Sequence, residues 1–486
     1  MSHLLHNLLP ILIAFCGSYV AWMYGGSRPY TYLSFAPWLW VLLLEGLLFF
    51  PQKRERENSR QARERVWYNL RHDPLCFLVL GFLVILAFAF VNKGLCPNCD
   101  AAAIAAGADP SPIFPILPFT VNRFEHFDVF CWFATALTAA LAAKHGLNDR
   151  GKRLVISLMV LNAVLLGLLG LVQLVTGAEG VYWHRVRVHQ IIFFASFGYV
   201  NHAAAYFTIL FALSLAVWRH KTCSPLDWTI LPPIILFITA FATLSRSAIV
   251  LTSLIAVLAM LHALISAFSK MTKLKRVKTA AVGLLVLIAL VLSVIVLTPT
   301  SVRKELSTLD STVVLQRVSG KGQYHDEAAR SVLSEFPFFG CGGWGYKHFS
   351  LKYTPKEVRR FFGYEWSQGG ANVHNDSLQF MVEHGLIGFG LLVAIVVLLL
   401  LPLGRTWRQL AQAVRFLPKA QMPPFPPAFF ALPGSAFMAL LAFLAPVLHS
   451  FADCPFRSPA VVYLFFTLLA CLEGYLPIRP GALKRG

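Results

Sequence analysis

The sequence predicts an all-α, polytopic integral membrane protein of about 12 transmembrane helices, interrupted by one large polar loop. Composition is the first reason: 57% of residues are hydrophobic, only 13% are charged, and the mean hydropathy is +0.63. Periodicity is the second. Apolar runs long enough to cross a hydrocarbon core of about 30 Å recur along the whole chain. The third is the exception to that pattern, a polar stretch from about Thr300 to Val373.

The predicted spans are 8–24, 33–50, 74–92, 127–143, 154–176, 190–218, 226–244, 247–268, 279–299, 375–401, 428–448 and 459–477. Only Ser245 and Arg246 separate the seventh from the eighth. Three segments follow: 1–299 with the first nine helices, the loop 300–373, and 374–486 with the last three. The N-terminus lacks a basic leader region and a small-residue cleavage site, so the first span is expected to remain as an anchor.

A net charge of +19 suggests nucleic acid, but its distribution argues otherwise. With the N-terminus inside, the inner loops carry 25 of the 42 Lys and Arg, and 10 of the outer ones fall in 300–373. Such a bias in short loops sets membrane orientation. The run from Lys53 to Arg71 is read as a solvated inner helix beside lipid headgroups. Among the nine cysteines, Cys96 and Cys99 form a Cys-Pro-Asn-Cys turn in an outer loop, where a local disulfide is the favoured reading over zinc. Cys341 and Cys454 are a second possible outer pair.

The large loop is too long and too aromatic for a passive connector. It predicts a short helix from Asp326 to Phe336 and a turn-rich stretch from Phe338 to Tyr346. At its end, His374-Asn375-Asp376-Ser377 places an imidazole where polar loop becomes apolar helix. Ionisable groups at membrane depth are expensive and mark function by default. A helix N-terminus disfavours imidazolium, so a neutral His374 there can take a proton from a hydroxyl. Capping by Asn375 and its neighbours is the plainer reading of the same residues. Gly385, Gly388 and Gly390 predict close approach of a neighbouring helix.

Arg246 lies at a turn between two spans with no carboxylate near it in sequence. A guanidinium binds phosphate through a fork, so a phosphate-bearing ligand is the favoured partner, against a snorkelling anchor. Arg185, Arg187, Arg317 and Arg330 add positive charge to the same face. His449, Asp453 and Arg457 flank the last outer turn, where an Asp453–Arg457 pair is expected to hold the turn in place. Arginines and one histidine at an outer membrane edge suit a lipid-linked pyrophosphate. Among nucleotide-binding signatures, neither a P-loop nor a dinucleotide fingerprint is present.

The spacing His374-Asn375, nine residues, Gly385, two residues, Gly388 resembles the signature of the O-antigen ligase and polymerase superfamily, which includes protein O-oligosaccharyltransferases. Phe197 to Ala203 resembles its Phe-Val-Asn motif, Leu244 to Ser247 its Ser-Arg motif, and Glu335 to Gly342 its Pro-x-x-Gly-x-Gly piece. His449 to Pro459 resembles its closing turn. The resemblance covers roughly 190–477. It implies a GT-C-like core and inverting, metal-independent transfer of a glycan from an undecaprenyl diphosphate carrier, on the periplasmic face of the bacterial inner membrane. Carried over by motif, His374 is the catalytic base and Arg246 the first essential arginine. Arg317 or Arg330 would be the second, although the usual Arg-x-x-x-Trp form is absent. Arg185, Arg187, Asn201 and Asn375 are expected to bind substrate. No cofactor is expected, and the acceptor is a lipid core, a growing glycan or a protein hydroxyl. A secondary transporter of an anionic solute is the rival from another class; it would need ionisable groups at the midplane and paired broken helices.

Overall fold

The computed structural model describes residues 7–26, 35–54, 57–92, 111–184, 193–221, 228–268, 323–353, 372–415, 432–451 and 453–476. Its α-helices, in chain order, are α1 (Leu8–Trp22), α2 (Ala36–Phe49), α3 (Ser59–His72), α4 (Pro74–Phe88), α5 (Arg123–Leu141), α6 (Asp149–Val175) and α7 (Val200–Lys221). They continue with α8 (Leu231–Ala242), α9 (Arg246–Phe268), α10 (Gln323–Glu335), α11 (Gly345–Tyr353), α12 (Asp376–Arg415), α13 (Gly434–His449) and α14 (Pro459–Cys471). No β-strand occurs among the described residues, which hold only isolated bridges such as that between Phe194 and Phe197.

Eleven of the predicted spans coincide with apolar helices. By length and composition, 5 described helices can cross a membrane, or up to 6 if the pair α3 and α4, bent by 65° at Asp73, counts as one. Leu8–Trp22, Ala36–Phe49, Trp228–Ala242, Gly434–His449 and Pro459–Tyr475 are shorter apolar helices. The predicted span 279–299 lies outside the described residues, as do Cys96, Cys99 and the Pro-rich segment 422–427. Cys341 and Cys454 are free, buried thiols.

The core is set by α7, which packs along α8 and α13, and by α14 against α5. Some of its buried polar groups pair across helices, which spares them the cost of desolvation where water is scarce. Trp22 donates to Asn162 Oδ1 at 2.8 Å, and Asn162 donates to the Tyr206 hydroxyl at 3.2 Å. Large aliphatic and aromatic side chains such as Phe15, Trp38, Leu80 and Val175 face outward, the pattern of a lipid-facing surface.

Polar contacts gather at the two ends of the bundle. At the predicted inner end Arg65 donates to the carbonyls of His145 and Gln52 at 2.6 and 2.9 Å. There too Lys144 pairs with Asp73 at 2.9 Å, and Lys152 pairs with Glu473. At the predicted outer end Lys347 pairs with Glu125, and His374 with Asp453. The charged inner helix appears as α3, opened by a capping box between Asn58 and Gln61.

Over the outer end sits a second, smaller core. Phe119 and Val121 pack with Ala329 and Val332 of α10, Phe336 just after it, Phe349 of α11 and Val382 of α12. The predicted short helix is thus present, starting three residues earlier than expected, and it closes over the start of α12.

Candidate active site

The approach to α12 is set by Asn375, whose Oδ1 accepts from the Leu378 backbone N–H at 3.2 Å. That cap turns the chain sharply, and His374 immediately before it has φ +58°. A non-glycine residue in this region is strained, and such strain clusters at functional positions. The turn directs the imidazole away from its own helix toward the connection between α13 and α14.

There His374 Nδ1 lies 3.2 Å from Asp453 Oδ1. The carboxyl group accepts further bonds. The backbone N–H and the thiol of Cys454 donate to Oδ1 at 2.8 and 3.3 Å. Tyr199 donates its hydroxyl to Oδ2 at 3.2 Å, and Asn201 donates its amide to the same oxygen. Burial pushes the Asp453 carboxyl up, but the His374 hydrogen bond and charge, with the Cys454 N–H, outweigh it and hold the group far below the usual carboxylate range. Asp453 is therefore an ionised acceptor. Facing that acceptor, Nδ1 of His374 carries a proton in either state of the ring: the imidazolium, whose charge favours the ionised Asp453, is protonated on both nitrogens, and in the neutral imidazole Nε2 is the basic nitrogen. The His374 side chain is 49% exposed while Asp453 is 7% exposed. A buried carboxylate orienting a half-exposed imidazole is the base-plus-orienter arrangement of nucleophile activation.

The expected Asp453–Arg457 pair is not what the structure shows. Arg457 forms a fork with Glu383 instead, donating to Oε2 at 2.8 Å and also to Oε1. Four residues along the 3-10 turn Pro455–Arg457, the two side chains face different neighbours: Asp453 meets the loop before α12, and Arg457 enters the helix itself.

His374, Asp453 and Cys454 bring three metal-ligating atoms within 4.8 Å of one another. Burial pushes the Cys454 thiol well up, with the Asp453 charge adding to it, so the sulfur stays protonated and serves as a donor to Asp453.

Helix α12 is broken at Gly385, where φ is +66° and ψ is 178°. The break is filled by the Pro-x-x-Gly-x-Gly segment. Leu386 and Ile387 donate to the carbonyls of Pro337 and Phe338 at 2.8 and 3.1 Å. The carbonyls they would use in a regular helix, those of Val382 and Glu383, accept from Cys341 and Gly342, each at 2.9 Å. A Cβ on Gly385 would lie 2.1 Å from the Phe338 carbonyl oxygen, and one on Gly340 2.5 Å from Glu383 backbone. The close approach expected at Gly385 is therefore real, but its partner is a loop rather than a helix. A Cβ on Gly390 would meet nothing within 4 Å, and one on Gly388 meets mainly its own helix at His384.

Arg246 begins α9, exposed, after Leu244 at φ +56°. Its level follows from a contact lower down. Thr208 of α7 and Thr252 of α9 share a hydrogen bond of 3.1 Å. The two helices run parallel, since Arg219 of α7 lies over Gly434 while His262 of α9 bonds to Leu432 O at 3.1 Å, both at the start of α13. Counting back at about 1.5 Å per residue puts Asn201 and Arg246 each ~10 Å above those threonines, on one level. Arg246 thus shares the end of the bundle that holds the His374–Asp453 pair. Arg330 is exposed on α10. Arg185, Arg187 and Arg317 lie outside the described residues.

Sequence reasoning missed Asp453 as the partner of His374, and with it Tyr199. It also missed His325 of α10, whose ring centre is 5.9 Å from that of His374 and whose Nδ1 lies 2.8 Å from the Tyr346 hydroxyl. A histidine on a polar amphipathic loop helix carries no signal of its own; only the cap's packing brings it over the site.

A family model described as O-antigen ligase matches residues 233–393. That segment is similar to an O-antigen ligase domain. The matched segment runs through α8, α9, α10, α11 and the first half of α12. It contains Arg246, the Pro337–Gly342 loop, His374 and Gly385, while Asp453, Asn201 and Tyr199 reach the ligase domain from outside the match. No curated protein matches the chain. At the level of the family, the ligase domain implies glycosyl transfer with glycan and lipid-linked substrates at a membrane.

Proposed function

We propose that this protein transfers an oligosaccharide or polysaccharide from an undecaprenyl diphosphate carrier to an acceptor hydroxyl, with His374 as general base. The observation that carries the proposal is the His374–Asp453 pair at 3.2 Å, which leaves Nε2 of a half-exposed imidazole as the basic nitrogen. In the reaction Nε2 takes the acceptor's hydroxyl proton as the oxygen attacks the anomeric carbon. The bond from that carbon to the diphosphate oxygen breaks, and the diphosphate leaves with the electron pair. Attack opposite the leaving group inverts the anomeric centre. Arg246, on the same level, neutralises the diphosphate, and Arg317 or Arg330 is the second candidate for that role. The chemistry requires no redox partner or metal ion. Ligation to a lipid core is the preferred outcome; polymerisation and transfer to protein share the same step. The site faces the periplasm, following the 25 inner Lys and Arg out of 42.

His374→Ala is expected to abolish transfer while the lipid-linked donor accumulates, a loss of about 10²–10⁴-fold. A lost helix cap would instead appear as about 0.5–2 kcal/mol of stability. His374→Gln keeps hydrogen bonding without basicity and should be equally inactive at matched protein levels. Near-normal transfer by His374→Gln would end the general-base reading.

The orientation has its own test. In intact cells a membrane-impermeant maleimide is expected to label Ser319→Cys and to spare Ser59→Cys. The reverse pattern would put the site on the cytoplasmic side.

A further inference from the structure

Arg457 is buried beside the site, its side chain 2% exposed, and it pairs with Glu383 at 0%. Three contacts accompany the fork. Arg457 Nε donates to Asn372 Oδ1 at 3.1 Å, and its guanidinium lies 4.1 Å from the centre of the Trp344 ring. Glu383 Oε1 also accepts from Gln379 Nε2 at 3.1 Å, and Gln379 Oε1 accepts from the Val373 backbone N–H at 2.8 Å.

The two residues preceding His374, Asn372 and Val373, are thus both tied to one ion pair. Arg457 also belongs to the short turn that carries Asp453, four residues before it. The same guanidinium therefore spans the approach to the base, the body of its helix, and the turn bearing its orienting carboxylate. Glu383 adds a further link, because its carbonyl accepts from Gly342 of the loop filling the break in α12. A buried ion pair is weak evidence for stability, since desolvation offsets its attraction. What its geometry supplies here is a fixed distance between two chain segments 79 residues apart that must meet within 3.2 Å.

We propose that Arg457 and Glu383 are positioning residues that hold the two halves of the His374–Asp453 pair in register. The inference rests on His374 being the base. Neither residue touches the reacting atoms; they act through Asn372, Gln379 and the 453–457 turn. Misplacement of a catalytic group by about 1 Å costs on the order of 10²-fold in rate.

The test replaces the pair as a unit. Arg457→Met with Glu383→Leu substitutes apolar groups for a buried ion pair, an exchange often neutral for folding. At matched expression and melting temperature, kcat for glycan transfer is expected to fall about 10–100-fold while KM for the lipid-linked donor stays within about twofold. Arg457→Lys keeps the charge but cannot fork onto Glu383 and reach Asn372, so it should lose kcat similarly; full rescue by lysine would show that charge alone matters and overturn the proposal. If the double variant fails to fold, Gln379→Met removes the Val373–Gln379–Glu383 link and leaves the Arg457–Glu383 fork in place. Wild-type kcat in that variant would likewise overturn the proposal, and a several-fold loss with unchanged donor KM would support it. His374→Ala is assayed alongside. Activity in His374→Ala removes the base reading itself, whereas an inactive His374→Ala beside a fully active double variant removes only the positioning role.

Discussion

The two ends of the helix bundle are both rich in charge, yet they are built differently. At the inner end Arg65, Lys144 and Lys152 each meet a carboxylate or a backbone carbonyl, and the pairs tie loops to helices. The caps there are ordinary, with Asn58, Asp73 and Asn148 capping helices from extended conformations, although the turn Ala142–Gly146 that carries Lys144 is π-helical. At the outer end His374 and Leu244 sit at positive φ, α12 is broken, and a half-exposed imidazole is held by a buried carboxylate drawn from a different helix connection. Charge density therefore does not distinguish a candidate site from a fastening. The distinguishing features are strain, a titratable group left open to the surroundings, and convergence of elements distant in sequence.

The comparison is sharpened most by removing the orienting carboxylate. Asp453→Asn keeps the size but cannot fix the Nδ1–H tautomer, so transfer is expected to drop about 10²–10⁴-fold. The same variant reports on pH. A carboxyl whose folded pKa is depressed stabilises the fold above its unfolded value of about 3.9, and that contribution disappears as pH falls through the folded value. The melting-temperature gap between wild type and Asp453→Asn should therefore be full above about pH 4 and narrow on acidification; a gap that widens would contradict an ionised Asp453.

Arg246→Lys comes next. It keeps the charge and loses the fork, and charge-assisted bonds are worth roughly 1.5–3 kcal/mol each, so transfer should fall about 10- to 100-fold with folding intact. Full activity in Arg246→Ala would remove Arg246 from diphosphate binding.

The smallest effect is expected at the inner end. Lys152→Met leaves Glu473 35% exposed and able to rehydrate, so the cost should be about 0.2–1 kcal/mol of stability with transfer per folded molecule unchanged. A large loss of kcat there would erase the contrast between the two ends.

Much of this was legible in the chain itself. Apolar runs form helices because backbone polar groups must bond within each segment in lipid; eleven of the predicted spans meet apolar helices, and 5, or up to 6, described helices are long enough to cross a membrane. The expected sides of the loops rest on Lys and Arg counts alone. Arg246 stands out because no carboxylate lies near it in sequence, His374 because it places an imidazole where a polar loop becomes an apolar helix, and Asn375 is visible as a cap because capping is a contact three residues long.

What the sequence left open involves partners separated by tens to hundreds of residues. Asp453 and Arg457 are close enough in sequence to suggest each other, and a 3-10 turn sends them to different targets. Gly385 reads as a helix-packing glycine, and only the docked loop 337–342 makes it a break whose rungs are exchanged. Local composition determines where helices form and which residues are costly to bury. Which of those residues meet is decided by packing, because hydrogen-bond geometry selects partners within about 3 Å and sequence distance places no limit on them.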